Sequence, residues 1–144
     1  PIYNAYALAA KLGTTILESE ADDKLGVIPT KCDNGDIAVA VFNYSKRLLK
    51  PNGTINTNLR VKLPEGRYTV THYRLDKSNC NGYSAWKEQG RPESCSQAQA
   101  EAVNRASVLK PWYPDEEFEG TEFSLDMQLP DYAVSLIKFT KSVN

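Results

Sequence analysis

The sequence predicts a mainly β protein: an antiparallel β-sandwich of about seven or eight strands, with an N-terminal helix and one short helix in a long insertion. Three observations predict it. Short runs of β-branched and aromatic residues recur between turns rich in Gly, Pro and Asn. Two of these runs, residues 55–63 and 123–129, alternate apolar and polar side chains. A third, residues 36–44 (DIAVAVFNY), is apolar on both faces and fits a central strand covered from both sides.

Residues 2–12 read as a helix, because Ile2, Tyr6, Ala9 and Ala10 recur at helical spacing and Gly13 supplies a stop. Residues 14–17 and 26–31 are short β-like runs, and Pro29 marks the second as an edge strand. In 55–63, Thr57, Leu59, Val61 and Leu63 point one way, and Asn58, Arg60 and Lys62 the other. Pro64-Glu65-Gly66 then turns into a strand over 67–75. The chain closes on a hairpin: Phe123, Leu125, Met127 and Leu129 alternate with polar residues, and Pro130-Asp131 turns the chain into 132–140. Between these runs, Ser96 and Gln99 form a capping box that opens a helix to about Leu109, with Ala98, Ala102, Val103 and Ala106 on one face. The division is thus an N-terminal helix at 1–13 and a sandwich domain at 14–144 carrying an insertion at 76–120.

A length of 144 residues suits one domain with a real core. The hydrophobic fraction of 41% and charged fraction of 24% are those of a globular protein. A net charge of −1 gives no electrostatic case for binding nucleic acid or an anionic membrane. No apolar run approaches the roughly 20 residues that span a bilayer. No signal peptide is present, and the chain opens on Pro1 rather than Met, which is expected of a processed or excised piece of a longer chain.

Cys80 and Cys95 bracket a segment rich in Asn, Gly, Ser and Pro, and a disulfide between them is expected. Closing such a loop of about 15 residues contributes on the order of 3 kcal/mol. Two sequons, Asn43-Tyr44-Ser45 and Asn52-Gly53-Thr54, point with it to a secreted glycoprotein, and Asn52, lying in a turn, is the better acceptor. Cys32 is left over, either buried or paired with a partner chain.

Catalytic residues are not found. His72, the single histidine, lies mid-strand, so a triad, a common zinc site or an activated thiolate would each have to use it. Asp115, Glu116, Glu117 and Glu119 read as a solvated acidic face rather than a paired acid and nucleophile. No phosphate loop occurs, and neither a metal nor a cofactor is expected. The insertion holds the side chains best suited to a sugar: Tyr83, Trp86, Trp112 and Tyr113, with Asn79 and Asn81. Aromatic faces packing on sugar C–H groups, with amides bonding hydroxyls, make a sensible carbohydrate site. The other reading, preferred for both tryptophans, is that Trp86 and Trp112 are anchors pinning the insertion to the sandwich.

The stretch Tyr68-Thr69-Val70-Thr71-His72-Tyr73-Arg74-Leu75-Asp76, followed by Asn81-Gly82-Tyr83-Ser84-Ala85-Trp86-Lys87-Glu88-Gln89-Gly90-Arg91-Pro92, resembles the C-terminal sandwich of family 39 glycoside hydrolases. That family includes β-xylosidases and α-L-iduronidase. In it a strand ending in a Y-R-I-D-like motif leads into N-x-Y-x-x-W-x-x-x-G-x-P and then a short helix. The opening Pro1-Ile2-Tyr3-Asn4-Ala5-Tyr6 resembles the last helix of the family's barrel. Where family members often carry Thr-Pro ahead of the helix, Ser94-Cys95-Ser96 stands here. The resemblance places the family's two catalytic glutamates on barrel strands upstream of Pro1, so none is carried over and the chain is expected not to be an enzyme by itself. The leading expectation is a lectin-like protein whose partner is a glycan or glycoprotein. The alternatives are a C-terminal piece of an active glycosidase bracing its catalytic barrel, and a structural or storage protein. The N-terminal helix, with Ile2, Tyr3 and Tyr6, is expected to meet a second copy or a missing barrel.

Overall fold

The computed structural model describes residues 2–47 and 49–143. Pro1, the first residue of the expected helical segment, lies outside them, as do Leu48 and Asn144. The elements in order are α1 (Ile2–Ala9), β1 (Thr15–Ile16), β2 (Leu25–Lys31), β3 (Ile37–Asn43), β4 (Ile55–Lys62), β5 (Arg67–Leu75), α2 (Gly82–Glu88), α3 (Gln97–Ser107), β6 (Glu116–Glu119), β7 (Glu122–Leu129) and β8 (Val134–Lys141). One antiparallel sheet has the order β1-β2-β3-β8-β5-β6, and β4 and β7 form a second. The predicted sandwich is observed, with a very unequal pair of layers.

Alternation along the strands splits the core in two. Ile37, Val39 and Val41 of β3, with Tyr68, Val70, Ile137 and Phe139, face the small sheet and pack on Val61, Phe123, Met127 and Leu129. On the opposite face, Ala40 and Leu136 meet Leu8 of α1 in a second cluster, flanked by Leu12, Tyr73, Leu75 and Leu109. This double coverage is why residues 36–44 carry no polar alternation. Pro29 fits for a local reason. Its carbonyl accepts from Leu17 N, on the β1 side, where its missing N–H breaks no rung of the ladder to β3.

Several expectations are corrected. The C-terminal strands do not form a hairpin: β7 pairs with β4, and β8 pairs with β3 and β5. The turn at Pro130 and Asp131 carries the chain between layers, and Asn43 fixes it. Asn43 Nδ2 donates to the Leu129 carbonyl (3.0 Å) while its backbone bonds Tyr132 and Ala133. The acidic run is a strand, β6, on the edge of the large sheet, where Glu119 pairs with Arg67 at 3.2 Å and Glu117 accepts from Thr69. Charge on an exposed edge discourages pairing with other chains. The insertion holds two helices rather than one. Asn81 caps α2 by accepting from Tyr83 N and Ser84 N, and Ser96 and Gln99 form the expected capping box of α3. Cys80 and Cys95 form no disulfide; all three cysteines are free. Asx-type bonds and the α2 cap order the loop instead. Asp76 accepts from Ser78 N and Asn79 N, and Asn81 Nδ2 returns to the Asp76 carbonyl.

Helix α1 ends at Ala9, earlier than Gly13 suggests. Gly13 serves close approach: its N–H donates to Thr30 Oγ1 at 2.7 Å, and a Cβ there would lie 2.2 Å from the Lys31 carbonyl group. Gly13→Ala must therefore push β2 away from the chain. It is expected to cost about 1–3 kcal/mol in urea unfolding. An unchanged midpoint would contradict that packing.

Candidate functional site

On β5 the residues facing the small sheet are Tyr68, Val70, His72 and Arg74, and the last two bring polarity into the interior. There, between β5 and β7, lies a cavity of about 280 Å³ whose apolar wall includes Val70, Phe123, Met127 and Ile137. His72 Nε2 lies 2.8 Å from Ser135 Oγ. Desolvation first, and the charge of Arg74 second, lower the His72 pKa to about 4, so the imidazole is neutral at neutral pH.

Arg74 is 2% exposed. Its Nη1 donates to the Gln128 carbonyl of the opposite sheet at 2.9 Å, and Asp76 Oδ2 stands 3.8 Å away. Burial pushes its pKa down, and the negative charge of Asp76 works against that shift. Trp112 lies over the guanidinium at 4.3 Å, and the buried Nε has no hydrogen-bond partner among the described residues. Trp112 N donates to the His72 carbonyl at 2.7 Å, and Pro111 forms an antiparallel bridge to Tyr73, so residues 111–113 lie alongside β5 as a strap. The Trp112 ring meets His72 edge-on at 5.2 Å, and Tyr113 stacks on it at 4.6 Å. This arrangement locks the two sheets together. Ser135 and His72 resemble a nucleophilic dyad, but Ser135 is wholly buried and cannot meet a substrate. Glu116 and Asp126 sit exposed at the rim.

The six residues expected to bind sugar divide between this cavity and the insertion. Trp112 is committed to Arg74 and His72, leaving Tyr113 more than half exposed beside it. Asn79 is taken up by Asp76, and Asn81 by the α2 cap. Trp86 Nε1 donates to the Pro92 carbonyl at 3.1 Å, closing the loop after α2, and Tyr83 lies against it with ring centres 5.6 Å apart. Of the two sequon asparagines, Asn43 is 2% exposed with its amide donating to Gly53 O and Leu129 O. A glycan there would displace both bonds. Asn52 Nδ2 donates to Asn43 Oδ1 and the Tyr44 carbonyl. Cys32 is half-buried in the β2–β3 turn, where its N–H donates to Asp36 O.

Sequence reasoning missed two residues that organise the molecule, Arg74 and Asn4. Arg74 had a signal: a long cation on the inward phase of a strand with apolar neighbours. Asn4 is 3% exposed, and its Nδ2 donates to the carbonyls of Cys80 and Ser107, each at 2.7 Å. It ties α1 to the start of α2 and the end of α3. Asn4 and Leu8 thus define the inner side of α1. The apolar residues expected to meet a second copy or a missing barrel face outward, with Ile2 75%, Tyr3 81% and Tyr6 74% exposed.

Comparison with known proteins supplies the context of that exposed helix. Residues 1–113 match the model of glycosyl hydrolases family 39. A β-xylosidase of Caldicellulosiruptor saccharolyticus is 30% identical over 112 residues, covering 76% of this chain and 23% of the relative. In fold, the chain matches a bacterial orthologue of human α-L-iduronidase with a TM-score of 0.81 at 18% identity, over 100% of this chain and 27% of the other. It matches a monomeric β-xylosidase from Caulobacter crescentus with a TM-score of 0.74 at 18% identity, over 99% and 31% of the two chains. The chain thus spans about a quarter of the length of the curated relative it matches. These findings overturn the lectin expectation: the relatives are glycosidases, and this chain corresponds to one domain of them. The chain belongs to glycosyl hydrolases family 39, as a C-terminal β-sandwich domain.

Proposed function

We propose that this chain is the C-terminal part of a family 39 glycosidase, most closely of the β-xylosidase kind, and that it braces a catalytic barrel without performing hydrolysis itself. The observation that carries this is the orientation of α1. Its Asn4–Leu8 side is fastened to the sandwich, while Ile2, Tyr3 and Tyr6 face outward with nothing on them. Three large apolar side chains on one exposed helix face are costly in water and mark an interface. The relatives, roughly four times longer than the part matched, offer a partner of the right kind in the remainder of their own chains. Hydrolysis with retention needs two carboxyl groups about 5–5.5 Å apart across the sugar ring, and the cavity between the sheets is a locked joint instead.

Orphaned from its partner, the 16.1 kDa chain is expected to self-associate at micromolar concentration, and Tyr3→Lys with Tyr6→Lys to make it monomeric without lowering its unfolding midpoint. Light scattering after size exclusion checks this. A wild-type chain that stays monomeric, and that a separately supplied barrel fails to bind, would sink the bracing role.

A further inference from the structure

We infer that the apolar groove between α2 and α3 continues the exposed face of α1 and is covered by the same catalytic barrel, an inference that rests on the bracing role proposed above. The groove, of about 450 Å³, is walled by Tyr83 and Trp86 of α2 and by Ala100 and Val103 of α3, with Cys95 at its edge. These side chains are almost wholly apolar, and Tyr83 is 52% exposed.

The helix pair is underpacked for what it contains. Helix α3 has 11 residues and buries none of them; the buried residue of α2 is Gly82. Helices of this length are marginal in water unless an amphipathic face is packed. The polar side of α3 is already served, since Gln97 bonds Glu101 along the helix and the capping box closes its start. The apolar side, through Val103 and Ala106, is only half covered.

Continuity identifies the occupant. Gly82 and Ser107 also line the groove, and Asn4 holds the carbonyls of Ser107 and Cys80. Tyr3 immediately precedes Asn4 in the chain and lies on the exposed side of α1. A body seated on Ile2, Tyr3 and Tyr6 therefore meets the mouth of the groove next. Through Asn4 helix α1 is tied to the start of α2 and the end of α3, so a partner that orders one end orders the pair.

Cys95, exposed at the groove, and Cys32, in the β2–β3 turn, serve as probe and reference. Alkylation rates of both thiols are to be measured by peptide mapping, with oxidative footprinting of Tyr3, Tyr6 and Tyr83. The chain alone, diluted until it is monomeric, is compared with the full-length polypeptide that carries it. Covering should slow Cys95 by about tenfold or more in the longer polypeptide, leave Cys32 unchanged, and shield all three tyrosines. Shielding of Tyr3 and Tyr6 with Cys95 and Tyr83 still fully reactive overturns the groove inference and leaves the bracing role standing. Tyr3 and Tyr6 equally reactive in both overturns the bracing role itself. Protection of Cys95 in the chain alone that grows with concentration overturns the inference in favour of a second copy.

Discussion

Arg74→Ala is expected to destabilise the domain by about 3–5 kcal/mol, the cost of removing one member of a buried charged network. The residue is 2% exposed, and truncation acts at three points. The Gln128 carbonyl of β7 loses its donor, Asp76 loses the nearest cation, and Trp112 loses the guanidinium beneath its ring. An empty volume also opens beside the cavity already present between the sheets. In a domain of this size such a loss lowers the melting midpoint by roughly 10–15 °C. Arg74→Lys should recover part of it, because a lysine keeps the charge but lacks the flat face that stacks on Trp112. Thermal and urea unfolding of both variants would check this. A loss under about 1 kcal/mol for the alanine variant would show that the sheets are held without this lock.

Acidification is expected to weaken the fold between pH 6.5 and 4 through His72. Its folded pKa is lowered to about 4, by desolvation and then by Arg74. In the unfolded chain the imidazole titrates near 6.5. Between those values the unfolded state binds the proton more readily, so stability falls as pH drops through the window and levels off below it. About 2.5 pK units at 1.36 kcal/mol each set the loss at about 3 kcal/mol. The groups around the ring explain why no carboxylate offsets it: Arg74 is on the same strand, Tyr113 on the strap, and Glu116 and Asp126 stand exposed at the cavity rim. His72→Gln should flatten the curve over this window relative to wild type, as read from urea midpoints at pH 7, 5.5 and 4. Parallel curves for the two proteins would contradict a buried neutral imidazole.

How legible the molecule was from sequence follows from what each residue pattern encodes. Residues 36–44 announced a doubly covered strand because both of its faces are apolar, and 55–63 announced a half-exposed one because only one is. The capping box of α3 was readable because Ser96 and Gln99 act within one turn. By contrast, β7 and β8 looked like a hairpin, since alternation states only that each strand has a buried face. Which sheet each joins depends on distant partners, and their turn is held by Asn43, 86 residues from Leu129 along the chain. β6 was hidden because its charged side chains suit an open edge rather than a core. The disulfide was inferred from loop composition and from the two sequons, and the loop turned out to be held by Asp76, Asn79 and Asn81. For the sugar site, residue types were right for the ligand and equally right for internal caps and stacks. Only the three-dimensional partners of Trp86 and Trp112 separate the two. The α1 stripe was read correctly as apolar, while its outward orientation depended on Asn4, a polar residue that finds its two carbonyls in a distant insertion.

The bracing role is tested most directly by the intact mass and activity of the native polypeptide that contains this sequence. The expected result is a chain several times heavier than 16.1 kDa that hydrolyses an aryl β-xyloside, while the 144-residue piece alone shows no turnover. A native species of 16.1 kDa, monomeric and free of any barrel-bearing partner, would contradict it.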